Sequence, residues 1–172
     1  GRYSQGVRVQ LDQHASRQLE QAAAPFPAWF APGLGLRRRG YMLRSPRLAR
    51  SSRRLGNWLV SVKSCNQGFW REDLLRVNGF DEAMVGWGSE DKELCARLEN
   101  AGVLRQTLLF AAIACHLEHP PASRSLAGSN HRRWQETVRT GRIRCELGIS
   151  SHRTIAPSGD SRLATVPADC YK

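Results

Sequence analysis

Three features of the sequence predict an α/β domain. Residues 3–11 alternate, with Val7, Val9 and Leu11 set against Arg8 and Gln10, as a half-buried strand does. Residues 108–115 form a strongly apolar run of the length of a buried strand. Stretches with helical spacing, at 15–24, 71–77 and from Ser89 onward, separate these two.

In chain order, the strand at 3–11 leads into a short helix at 15–24, and proline and glycine in APFPAWFAPGLG then end regular structure. Trp29 and Phe30 in that segment serve either as an interface anchor or as a lid over the core. A second strand is expected at 58–63, running into a turn at Ser64–Gly68. Arg71–Val77 reads as a helix closed by Asn78-Gly79. The next helix has Ser89 as its N-cap, carries Leu94, Leu98 and Ala101 on one face and stops at Gly102. After the strand at 108–115, ASRSLAGSN is expected to be a polar loop and His131–Glu146 a helix. From 147 to 172 the chain turns polar and aperiodic and is expected to be a disordered tail.

The loop from Asn78 to Asp91, NGFDEAMVGWGSED, holds the chemistry-bearing residues. Gly86 and Gly88 give backbone freedom on either side of Trp87, and Glu90 and Asp91 fall in the first turn of the following helix. A helix N-terminus favours a negative charge by roughly 0.3–1 kcal/mol, so a carboxylate there is expected to stay ionised and able to accept a proton. The same acids also serve helix stability alone, and Trp87 is equally suited to filling the core. Asp81 is placed to brace the loop or to reach a ligand. Adjacent acids point apart on a helix, which argues against the paired carboxyl groups of a glycosidase.

Composition narrows the class. No run approaches the roughly 20 apolar residues that span a bilayer. Five cysteines without a Cys-x-x-Cys pair favour reduced thiols and argue against cysteine-held zinc, in keeping with a cytoplasmic location. The net charge of +11 is concentrated early: residues 1–60 carry 11 Arg and 2 acids. Arg37–Arg54 contains eight arginines and no acid, which suits an anionic membrane surface, at the inner face of the membrane, or a plain solvated loop. No aromatic stacking platform accompanies them, so no specific nucleic-acid partner is expected.

The run CNQGFWREDLLRVNGFDEAMVGWGSED, with ACHLEHP at 114–120, resembles the C-terminal half of family 2 glycosyltransferases and the related galactosyltransferase-type domains, which carry a Gly-Trp-Gly-x-Glu-Asp signature. The resemblance spans about residues 1–146, including the Arg-rich segment 33–56. It implies the C-terminal portion of a GT-A fold with a mixed sheet. The implied activity is inverting transfer from a nucleotide-sugar donor to a glycan or lipid-linked acceptor. In that reading Asp91 is the general base, and Glu90, Trp87 and Asp81 hold the acceptor. Cys65, Asn66, Gly86 and Gly88 face the donor. His116, or its rival His119, binds a divalent Mn or Mg ion at the diphosphate.

The Asp-x-Asp segment that precedes this half in such enzymes has no match here, so an incomplete domain, unable to transfer sugar by itself, is expected. Two alternatives stand beside the enzyme: a non-catalytic basic module that binds membrane or polyanion, and an inactive relic.

Overall fold

A computed structural model describes residues 1–21, 36–37, 43–52 and 62–152. Trp29 and Phe30, half of the Arg-rich segment 33–56, the first part of the strand expected at 58–63, and the tail from 153 lie outside the described residues.

The expected strand at 3–11 is two strands, β1 (Arg2–Gln5) and β2 (Val7–Leu11), divided at Gly6. Of the apolar run expected as a strand at 108–115, residues 108–112 turn and only Ile113–Cys115 are strand, within β6 (Ile113–His116), while β5 (Leu104–Thr107) lies before that run, where no strand was expected. Two three-stranded mixed sheets result. β1 lies between β4 (Gln67–Gly68, antiparallel) and β5 (parallel), and β2 lies between β3 (Leu36–Arg37, antiparallel) and β6 (parallel). The α/β class with mixed pairing thus holds, in two short sheets rather than one.

Asn66 explains the division. Its side-chain amide donates to the carbonyls of Val7 and Ala112, and its own carbonyl accepts the Gly6 N–H, so backbone groups left open where both ladders break find partners. A Cβ at position 6 would overlap the Asn66 carboxamide, which makes glycine the residue that fits. Asn66, expected at the donor, is instead a brace within the sheets.

Helix α1 (Gln13–Gln21) packs on the second sheet through Ala15 and Leu19 against Val9, Leu11, Ile113 and Cys115. The larger core joins Tyr3 and Val103 to Val77 of α3 (Arg71–Val77) and to Leu94 and Leu98 of α4 (Glu90–Asn100). Leu94 and Leu98 are fully buried, each contributing about 1.5–3 kcal/mol by leaving water. α2 (Pro46–Ser52) lies inside the Arg-rich stretch, with Arg47 and Arg50 exposed.

Helix α5 runs from Ala127 to Thr140, so the second half of the expected polar loop is its first turn, and Gly141, at φ +68°, ends it six residues before the expected Glu146. Of the expected tail, Ile149–His152 form a 3-10 turn held to Asn78, whose backbone carbonyl and Oδ1 accept the N–H groups of Ile149 and Ser150. Among the described residues no helix is long and apolar enough to cross a membrane.

Candidate functional site

The loop between α3 and α4 reverses direction through residues that tolerate positive φ. Asn78 and Gly79 both sit at φ +70°, closing α3, and the Gly79 N–H bonds the Leu74 carbonyl at 2.8 Å. Gly86 (φ +77°) and Gly88 (φ +118°) then flank Trp87, whose ring remains about half exposed. Trp87 is therefore no core filler. The Arg124 guanidinium lies over one side of it, 4.7 Å from the ring centroid.

Ser89 stands before α4 but does not cap it with its side chain, because its backbone is left-handed (φ +67°). The Glu90 carboxylate instead accepts the Gly88 N–H at 2.9 Å and stiffens the turn. Asp91 accepts two backbone N–H groups, from Ser64 at 3.1 Å and from Lys92 at 2.8 Å. The contact to Ser64 ties the first turn of α4 to the 3-10 turn Ser64–Asn66, which the sequence reading did not link to it.

Asp91 lines a cleft of about 630 Å³ with Glu90, Trp87 and Gly88 on one side, Ser64, Lys63 and Arg8 on another, and Ala127, Gly128 and His131 of α5 on a third. Its carboxyl is raised above the ordinary aspartate range, by burial first and by the neighbouring Glu90 charge second. The two backbone N–H bonds pull the other way without cancelling this. The helix terminus, from which an ionised carboxylate was expected, is not the whole account of this group: burial and the Glu90 charge raise it, and a carboxylate with raised proton affinity is a stronger base.

The remaining expected site residues divide. Asp81 is buried away from the cleft: Oδ1 accepts the Ala83 N–H at 3.1 Å and Oδ2 lies 3.7 Å from Arg142, so it braces the loop and does not line the cleft. Gly86 packs near Leu126 and Cys65 is exposed on the 3-10 turn, and neither lines the cleft. Gly88 does.

His116 is the last residue of β6, pairs in register with Gln10 and lies on the same sheet face as Arg8. Its Nε2 is 3.2 Å from Nε2 of His119. Burial, then the positive charges of Arg8 and His119, hold it below the usual histidine range, so the ring is neutral and able to bind a metal. Two nitrogens that bind one ion at about 2.1 Å in adjacent octahedral positions stand about 3 Å apart, so the pair fits two such positions. Among the described residues no cluster of three metal-binding side chains exists. The other positions therefore need a phosphate, water or residues beyond these.

Beneath the cleft, α4 and α5 are joined by buried charge. Arg97 grips Glu93 with two nitrogens, at 2.9 and 2.7 Å, and donates to the Val77 carbonyl. Glu93 also accepts from Thr137 and Arg142 at 2.9 and 3.2 Å. Asn130 of α5, itself buried, donates to the Val85 carbonyl at 3.1 Å and so anchors the Trp87 loop. The contribution of α5 was missed in the sequence, where His131 and Trp134, one turn apart, were its only signal.

No curated protein and no solved structure matches the chain. Residues 48–120 match the family model described as the N-terminal domain of galactosyltransferase, a stretch that holds every site residue inferred from the sequence but less than half of the 172 residues. The match supports a glycosyltransferase-type domain, and so a transferase in general.

Proposed function

We propose that this domain, in its natural full-length protein, transfers a sugar from a nucleotide-sugar donor to a glycan or lipid-linked acceptor with inversion, with Asp91 as general base. One observation carries the reading. Asp91 is a part-buried carboxylate of raised proton affinity, held by two backbone N–H groups inside a cleft that also presents the half-exposed face of Trp87. The acceptor stacks its C–H face on Trp87 and its hydroxyl oxygen attacks the anomeric carbon. The hydroxyl proton passes to Asp91 as the anomeric C–O bond breaks, and the nucleoside diphosphate leaves with the bonding electrons. Glu90, committed to Gly88, keeps the turn in place and offers its second oxygen to the acceptor. A divalent Mn or Mg ion, held by His116 and His119 with the diphosphate, would supply charge to the leaving group.

The test is Asp91→Asn, read as nucleotide release at saturating donor and acceptor. A loss of roughly 10²- to 10⁴-fold in kcat with donor affinity retained is expected. Activity close to the parent removes Asp91 as base.

A second reading, membrane attachment beside or instead of catalysis, is favoured by α2, where exposed Arg47 and Arg50 neighbour the exposed Leu48. Salt-sensitive sedimentation with anionic vesicles is expected if this surface binds lipid, and sedimentation that ignores lipid charge ends that reading.

A further inference from the structure

The cleft sets positive charge on two of its walls, and that charge divides by element. Arg8 and Lys63 lie on the wall toward His116, whose protonation both oppose. Lys92 lines the cleft with Trp87, and Arg124 lies over the Trp87 ring.

The second group is not committed to structure. Ion pairs among the described residues involve Arg97, Arg139, Arg142 and His152, and none uses Arg124 or Lys92. Both cations rest on rings instead, Arg124 on Trp87 at 4.7 Å and Lys92 on Trp134 at 5.1 Å. A guanidinium over an aromatic face still has N–H donors for a planar or tetrahedral anion, and an ammonium over a ring keeps donors on its outer side. The acids nearby already use oxygens on backbone N–H groups. A neutral sugar could stack on Trp87, but it would make no use of these two charges, of which Lys92 acts on the Asp91 carboxylate and Arg124 enters no ion pair among the described residues.

We propose that the Trp87 wall is a subsite for a sugar bearing an anionic group, a carboxylate or a phosphate, which Arg124 and Lys92 hold while the ring packs on Trp87. Calling this sugar the acceptor rests on the reading of Asp91 as base, whereas the preference for charge does not.

The test uses three probes of one ring size on the 172-residue chain, methyl β-glucuronide, methyl glucoside 6-phosphate and neutral methyl β-glucoside, with binding followed by tryptophan fluorescence and calorimetry. At low salt, one or both charged probes bind on the order of fivefold more tightly than the neutral one, and added salt narrows the gap. Arg124→Gln and Lys92→Gln each reduce the gap and leave binding of the neutral glucoside in place. Which charged probe leads identifies the anion. Equal affinity for all three, no binding of any, or a gap that neither variant changes overturns the proposal. So does displacement of the glucuronide by a nucleoside diphosphate that itself needs Arg124, since the cations would then serve the donor. A full-length protein that transfers sugar to no acceptor while the charge preference persists removes the transferase reading alone.

Discussion

On the side of α4 that meets α5, Glu93 and Arg97 are entirely withdrawn from water, and every oxygen of the carboxylate has a donor. Two residues before Glu93 on the same helix, Asp91 opens on a cleft, has only backbone donors and keeps a raised proton affinity. Both acids lie in the first turn, and a rule about helix termini treats them alike. Partners separate them. A carboxylate matched by a guanidinium is fixed in one position, whereas a carboxylate held by backbone donors beside a cleft can take up a proton and release it.

The largest expected effect breaks the buried side. Arg97→Ala leaves the Glu93 charge without its main partner and should cost about 3–5 kcal/mol in urea or thermal unfolding. Replacing both, as Glu93→Leu with Arg97→Met, should recover most of that loss, because an apolar pair of similar volume needs no partner. A double variant as unstable as the single one would show that the hydrogen bonds to Thr137 and Val77, rather than charge matching, hold the two helices.

An intermediate effect is expected at the end of β6. His116→Ala should weaken the divalent-ion dependence of transfer more than His119→Ala, on the order of tenfold or above, because β6 fixes His116 while His119 sits in an exposed segment. Metal titrations of the two variants check the order, and a larger loss at His119 reverses it.

The smallest effect concerns stability at Asp91. Its carboxyl is raised in the folded chain, so this group favours folding most at pH below its unfolded value, and that contribution fades as pH rises through the folded value. Asp91→Asn should therefore leave the neutral-pH melting temperature no lower than the parent's, and the difference between the two should shrink toward acid. A marked loss of stability at neutral pH would mean that Asp91 belongs with Glu93 as a structural acid. That outcome would dissolve the contrast between the two sides of α4.

The sequence made the local features legible and left most of the assembled ones hidden. Helix α3 and its Asn78-Gly79 stop follow from left-handed chemistry that only a few residue types accept, and they appear as expected. The Gly86-Trp87-Gly88 turn and the acids after it were visible for the same reason. The division of the first strand at Gly6 and the turn at 108–112 were not, since nothing in an alternating or apolar run announces a partner such as Asn66, remote from both in sequence. Ser89 misled, because a capping residue type sits there in a backbone state that does not cap. Asp81 and Asp91 have the same chemistry and lie ten positions apart, yet Arg142 takes one inward and the cleft takes the other. Only tertiary structure distinguishes them.

The divided strands bear on how the chain can change length. β6 takes its register from β2, with Val7 opposite Ile113 and Gln10 opposite His116, and not from the run that precedes it. Leu108 and Ala112 are pinned, by the Gln5 carbonyl and by the Val7 N–H with the Asn66 amide, so a change of length falls on 109–111, while a single deletion within β6 would turn His116 to the opposite face of the sheet. Among natural variants of this domain, insertions should collect at 109–111, and the spacing from Ile113 to His116 should stay fixed.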